Sequence, residues 1–203
     1  MKRSVAVLAV GAPLALAVLE VFHPHVQDFF ALDLDRWLLV HYLQIPLFTL
    51  AALAMALVAG PARTMAAAIS RVSMLVFVMA YVPFDTAAGV VTGELAKAGL
   101  AAGSPDAWRA PIQAIWAHPL LGGSPDTAPV FAIVGTMAWL VGAVATAVAV
   151  RRAGSSWGPV VLLGVSGLGL FVFRTHAWPG GPVSFGALAA AAAWVAWEQR
   201  NAA

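Results

Sequence analysis

Glu20, His23, His41, Asp85 and His176 are the side chains whose types and spacing best equip this sequence for chemistry. Glu20 and His23 stand three residues apart, so on a helix both project from one face. Di-metal carboxylate bundles use a Glu-x-x-His spacing of this kind on two helices. Here it occurs once, which argues against a paired-metal site. Pro24 drives His23 toward extended backbone, so the rings of His23 and His25 should diverge, with His25 in the solvated loop. His41 sits in the first turns of an apolar run, with Gln44 one turn deeper and Pro46 beyond. Pro46 has no N–H for the carbonyl of Tyr42. His41 is the first candidate for a ligand or an acid–base group.

Asp85 lies within a long apolar run, in Tyr81-Val82-Pro83-Phe84-Asp85-Thr86. A carboxylate at membrane depth costs about 3 kcal/mol or more and marks a functional site by default. Tyr81, four residues earlier, is expected to hydrogen-bond it, and Pro83 frees the carbonyl of Met79. The bland alternative is a structural hydrogen-bond anchor between helices. His176 follows the fifth apolar run. His118, beside Pro119, is as well explained as a surface residue. Imidazole is the commonest metal ligand and titrates near neutral pH. The expected metal set is therefore His23, His41 and Asp85, completed by Glu20 or His176, and the expected catalytic pair is Asp85 and His41. A divalent Zn, Fe or Cu with three N/O ligands and an open position would polarise a carbonyl or phosphoryl group or activate water.

These residues need a scaffold, and composition says which kind. Of 203 residues, 62% are hydrophobic and 10% charged, with a mean hydropathy of +0.87. Soluble chains carry about 25% charged residues, so the solvent for this chain is lipid. The absence of cysteine excludes a disulfide relay, an iron–sulfur cluster and a thiolate site. The basic residues are scattered singly or in pairs, with no stripe for nucleic acid. Six runs are apolar enough to cross a bilayer as helices: 5–22, 37–59, 72–91, 129–150, 158–173 and 183–197. The fold expected is an all-α polytopic membrane bundle, one transmembrane domain across 1–203. Lys2 and Arg3 before the first run resemble a signal peptide, but that run is longer than an h-region and is read as a retained span.

Orientation follows from counting. With both termini inside, the inner loops carry seven basic residues (Lys2, Arg3, Arg63, Arg71, Arg151, Arg152, Arg200) and the outer ones four (Arg36, Lys97, Arg109, Arg174). The acidic residues, among them Asp126, fall mostly outside. Trp194 and Trp197 would mark the inner interface, and Trp37, Trp108, Trp116 and Trp178 the outer one. All five histidines then map to the outer half. Gly-Ser-Pro-Asp occurs at 103–106 and again at 123–126, and each copy reads as a helix start with serine as N-cap. The first opens a short amphipathic helix, 105–117, expected to lie on the outer leaflet; the second opens the fourth span. Gly89 with Gly93, and Gly186 with Ala190, read as small-residue seams for helix packing, and Gly164, Gly167 and Gly169 thin the fifth span.

The leading functional expectation is a metal-dependent enzyme with its site near the extracytoplasmic face and a lipophilic or membrane-delivered small-molecule substrate. Competing readings are a metal-free isomerase or cyclase using Asp85, a metal or ion transporter, and a haem- or quinone-binding or accessory subunit of a membrane complex. An oligomeric partner is compatible with each. Transport is disfavoured because no inverted repeat is visible and the inner half holds almost no polar intramembrane group. Nine Arg against two Lys, with abundant Ala, fits a bacterial cytoplasmic membrane protein.

Overall fold

The computed structural model describes residues 3–61, 63–123 and 129–201. Within them the chain is helical, with no strand. The elements are α1 (Arg3–Val21), a 3-10 turn (Phe29–Ala31), α2 (Leu34–Val58), α3 (Met65–Asp85), a π turn (Thr86–Val91), α4 (Thr92–Ala101), α5 (Pro105–Trp116), α6 (Val130–Arg152), α7 (Trp157–Phe173) and α8 (Gly180–Asn201). Five helices are long and apolar enough to cross a membrane: α1, α2, the rod Met65–Ala101, α6 and α8. All six expected runs are helical, but α7 has 17 residues, or about 25 Å, at the short limit for a span.

Helices α1, α2, α3, α6, α7 and α8 pack in chain order, and α1 closes the arrangement against α8. Their outward faces are apolar: Val141, Val144 and Val148 on α6, and Val161, Val165, Leu168 and Val172 on α7, are exposed. Water penalises such a surface and lipid accommodates it. The interior is small-residue helix contact plus one aromatic layer. Phe48, Phe77, Tyr81, Trp139 and Phe185 form it, with Phe77 stacked on Tyr81 at 5.0 Å between ring centres. Ordered hydrogen bonds tie the helices where lipid supplies no hydrophobic drive. Ser70 meets Thr146 at 2.8 Å, and the Trp139 indole donates to Ser166 O at 3.0 Å.

The rod Met65–Ala101 contains the expected third span of 72–91 and runs on past it at both ends. At 37 residues it is about 55 Å long against a hydrocarbon thickness of about 30 Å. Its α4 end therefore projects past the bundle and carries α5. The apolar face of α5 meets protein there, not only lipid. Ile112 is buried with Phe29, Leu34, Trp37, Leu38 and Ala96, and Trp108 covers Gly99. Ser104 occupies the N-cap and Pro105 the first turn, as read, although the serine side chain makes no capping bond. The N-cap of α6 is Pro129, and Ser124, Pro125 and Asp126 of the second copy lie outside the described residues, as does Lys2.

Arg109 ties this cap of α4 and α5 to the loop after α1. Arg109 bridges Asp28 at 3.1 Å and Asp106 at 3.0 Å, and lies 5.0 Å over the Phe30 ring. Asp28 also accepts from Phe30 N at 3.0 Å. That bond first, and Arg109 second, hold the Asp28 carboxyl below its ordinary 3.8. A depressed carboxylate contributes stability above its unfolded pKa and loses it as pH falls through the folded value. Hydrogen exchange of 105–116, corrected for intrinsic rate, should thus rise below about pH 4, the ordinary aspartate range. Arg109→Ala should produce the same rise at neutral pH; unchanged protection in both would show that the cap is held without this pair.

Candidate metal centre

Three histidines from three separate elements converge at the end of the bundle that carries the cap. His41 is on the first turns of α2, His23 just past α1, and His176 in the connection from α7 to α8. One ring nitrogen from each lies within 4.8 Å of the others, the spacing of a group able to hold a metal ion. His25 and His118 are exposed at the same end, and neither belongs to the cluster. His118 instead accepts the N–H of Leu120 at 3.2 Å.

Local sequence explains each placement. Phe22 N and His23 N close the last turn of α1, and Arg36 donates from Nε and Nη2 to Phe22 O at 2.9 and 2.7 Å. Asp33 caps α2 by accepting from Arg36 N at 3.1 Å. The end of α1 is thereby tied to the start of α2, and His23 is carried over His41. Their ring centres stand 4.9 Å apart.

Backbone carbonyls fix two of the rings. His41 Nδ1 lies 2.8 Å from Trp37 O and His23 Nδ1 2.8 Å from Pro24 O. A carbonyl only accepts, so both rings carry the proton on Nδ1 and leave Nε2 as a lone pair. His176 Nε2 is 3.3 Å from His23 Nε2 and 3.4 Å from Asp85 Oδ1, while its Nδ1 is 3.0 Å from the Tyr81 hydroxyl. A phenol donates or accepts. His176 can therefore hold its proton on Nε2 toward His23 and Asp85, or on Nδ1 toward Tyr81 with Nε2 free. Burial, and then the neighbouring His41, pushes His23 down to about 3; burial, then His23 and His41, lowers His176. Both are neutral at pH 7, the state a metal requires.

Asp85 and Glu20 diverge from the sequence reading in instructive ways. Tyr81 was expected to bond Asp85; its hydroxyl goes to His176 instead, and Asp85 pairs with the same ring from the other side. Asp85 is 1% exposed, and its Oδ2 has no hydrogen-bond partner among the described residues. Glu20, fully buried, accepts from Gln44 Nε2 at 2.8 Å, one layer below the imidazoles. It does not join the group of three.

Trp37 was expected at the outer interface but is buried as the wall behind His41, its ring 4.1 Å away and its indole donating to Gly89 O at 2.7 Å. Gly89 and Gly93 were read as a seam between helices. They are seats for side chains: a Cβ on Gly89 would strike the His41 ring, and one on Gly93 the Trp37 ring at 2.7 Å. Gly89 lies within the π turn and Gly93 just beyond it, and the turn shifts the register of the rod just after Asp85. Such turns often mark functional sites. Pro83, which removes one helical bond there, was the available signal. A Cβ on Gly186, by contrast, would meet only Ala17 of α1, at 4.0 Å, and Ala190 is exposed.

A cavity of about 740 Å³ adjoins the imidazoles, lined also by Tyr81, Asp85, Trp116 and Met137. For tetrahedral zinc, with bonds of about 2.0–2.1 Å, ligand nitrogens stand about 3.3 Å apart; the His23–His176 separation equals that edge, and His41 must close in further. The Tyr81→Phe protein should bind zinc about 10–100-fold more weakly, the usual effect of losing a ligand's outer partner. Titration against a chromophoric chelator reads this, and an unchanged affinity would show that Tyr81 does not orient His176. No family model, no curated protein and no solved structure is significantly similar to this chain.

Proposed function

We propose that this chain is an integral membrane, metal-dependent enzyme whose divalent ion is held by His23, His41 and His176. The observation carrying the proposal is the convergence of three imidazole nitrogens within 4.8 Å, two of them with the tautomer a metal needs. Asp85, beside His176 and with a free oxygen, takes the role of general base or of a fourth ligand. Three imidazoles and an open position are the arrangement that lowers the pKa of bound water and polarises a carbonyl or phosphoryl oxygen. Zinc fits this donor set best; iron and copper remain alternatives that the element itself decides. The positive-inside bias supports an extracytoplasmic position for the cluster, with both termini inside. The cavity and the apolar surroundings favour a lipophilic substrate.

A second reading has one specific observation behind it: the carboxylate of Asp85 lies 3.4 Å from His176 Nε2, a direct acid–base pairing. In that reading the pair performs acid–base chemistry alone, as in an isomerase or cyclase. Elemental analysis with an absorption spectrum on untagged protein in mild detergent separates the two. Near-stoichiometric metal in the wild type, reduced in His41→Ala, supports the metal enzyme and names its ion. Metal-free protein would overturn it and leave Asp85→Asn as the variant that isolates proton transfer.

A further inference from the structure

We propose that Arg174 is the anion-recognition residue of the cavity, and that the ligand it admits is an amphiphile with a phosphate or carboxylate head. This names the substrate class for the metal reading above and rests on it for catalysis, though not for binding. The first observation is position. Arg174 lines the same cavity as the three imidazoles, at the end of α7. The second is its backbone, left-handed at φ 53 and ψ 27. Glycine or asparagine ordinarily fills that C-cap, and an arginine held there is a strained choice that calls for a role of the side chain.

The third observation is charge. The other described cations at this end are engaged: Lys97 with Asp35 at 2.6 Å, Arg109 with Asp28 and Asp106, and Arg36 with Phe22 O. Arg174 is exposed, and no hydrogen bond or ion pair joins it to another described residue. Its guanidinium is free to take an oxyanion in bidentate fashion. The fourth observation is the route. Met137 belongs to the exposed apolar stripe Val130, Val134, Met137 and Val141 of α6, yet it also lines the cavity, as does the exposed Phe171 of α7. The cavity therefore reaches the membrane-facing surface between these helices. An acyl or prenyl chain lying there would set its head between Arg174 and the imidazoles.

The test uses wild-type protein in phosphatidylcholine nanodiscs, with a phosphatidic acid bearing a diazirine on one acyl chain. Irradiation and peptide mapping then read labelling of 129–137 and 170–174 against the α1 face containing Val7, Leu14 and Val18. A diacylglycerol with the same chain is the neutral comparison. The expected result is preferential cavity labelling by the anionic probe, reduced about tenfold in Arg174→Gln and unchanged in Lys97→Gln, as for loss of a charged hydrogen bond. Competition by inorganic phosphate would assign the site to a free anion; its absence would assign it to a lipid head. Equal labelling by both probes, or labelling indifferent to Arg174→Gln, overturns the proposal and returns Arg174 to simple headgroup contact. The readout needs no metal, so failure of the metal site and failure of this site are distinguishable.

Discussion

His176→Ala protein is expected to bind zinc more than about 100-fold more weakly than the wild type, exceeding the usual loss on removing an outer-shell partner. His25→Ala and His118→Ala should bind it normally. The asymmetry follows from position. His176 supplies the nitrogen 3.3 Å from His23, and it is the ring on which Tyr81 and Asp85 both depend. Its loss removes one vertex and strands two buried polar groups, each costing about 1–3 kcal/mol. The thermal midpoint should fall as well. A zinc titration across the five single His→Ala variants reads the result: losses confined to His23, His41 and His176 are predicted, and equal losses across all five would dissolve the cluster.

Gly89→Ala is the second large effect, and it comes from a residue that touches no metal. The added methyl would collide with the His41 ring. Any shift of that ring breaks the bond from its Nδ1 to Trp37 O or presses on the Trp37 ring 4.1 Å away. The Trp37 indole is in turn anchored to Gly89 O. Either His41 leaves its position or the π turn rearranges, at an overpacking cost of about 1–3 kcal/mol. We expect zinc affinity to fall at least about tenfold with helix content retained, a change of about 1.4 kcal/mol in binding. Gly186→Ala, where the nearest atom is 4.0 Å away, should be neutral. Equal behaviour of the two variants would mean that Gly89 only packs helices.

The contrast between these glycines shows what a sequence of this kind discloses. Helical class was legible because lipid leaves so few spanning structures, and none of the six runs overshoots its helix by more than one residue. His41 and Asp85 stood out because polar groups in apolar runs are costly. Helix rotation was not legible, since it depends on contacts between segments distant in sequence. Hence Glu20 was grouped with His23 by its i, i+3 spacing, whereas the structure pairs it with Gln44. Tyr81 was assigned to its own helix neighbour Asp85 and bonds a ring 95 positions away. Trp37 read as an interfacial aromatic because its burial under α5 requires the rod to run on past Val91, and nothing in the composition of 92–101 announces that.

X-ray absorption at the metal K-edge of the loaded wild-type protein tests the central claim most directly, because it counts imidazoles. Three histidine nitrogens at about 2.0 Å, with one or two further oxygen ligands, are the expected result. A first shell of oxygens without imidazole scattering, or a protein that retains no metal to measure, would contradict it.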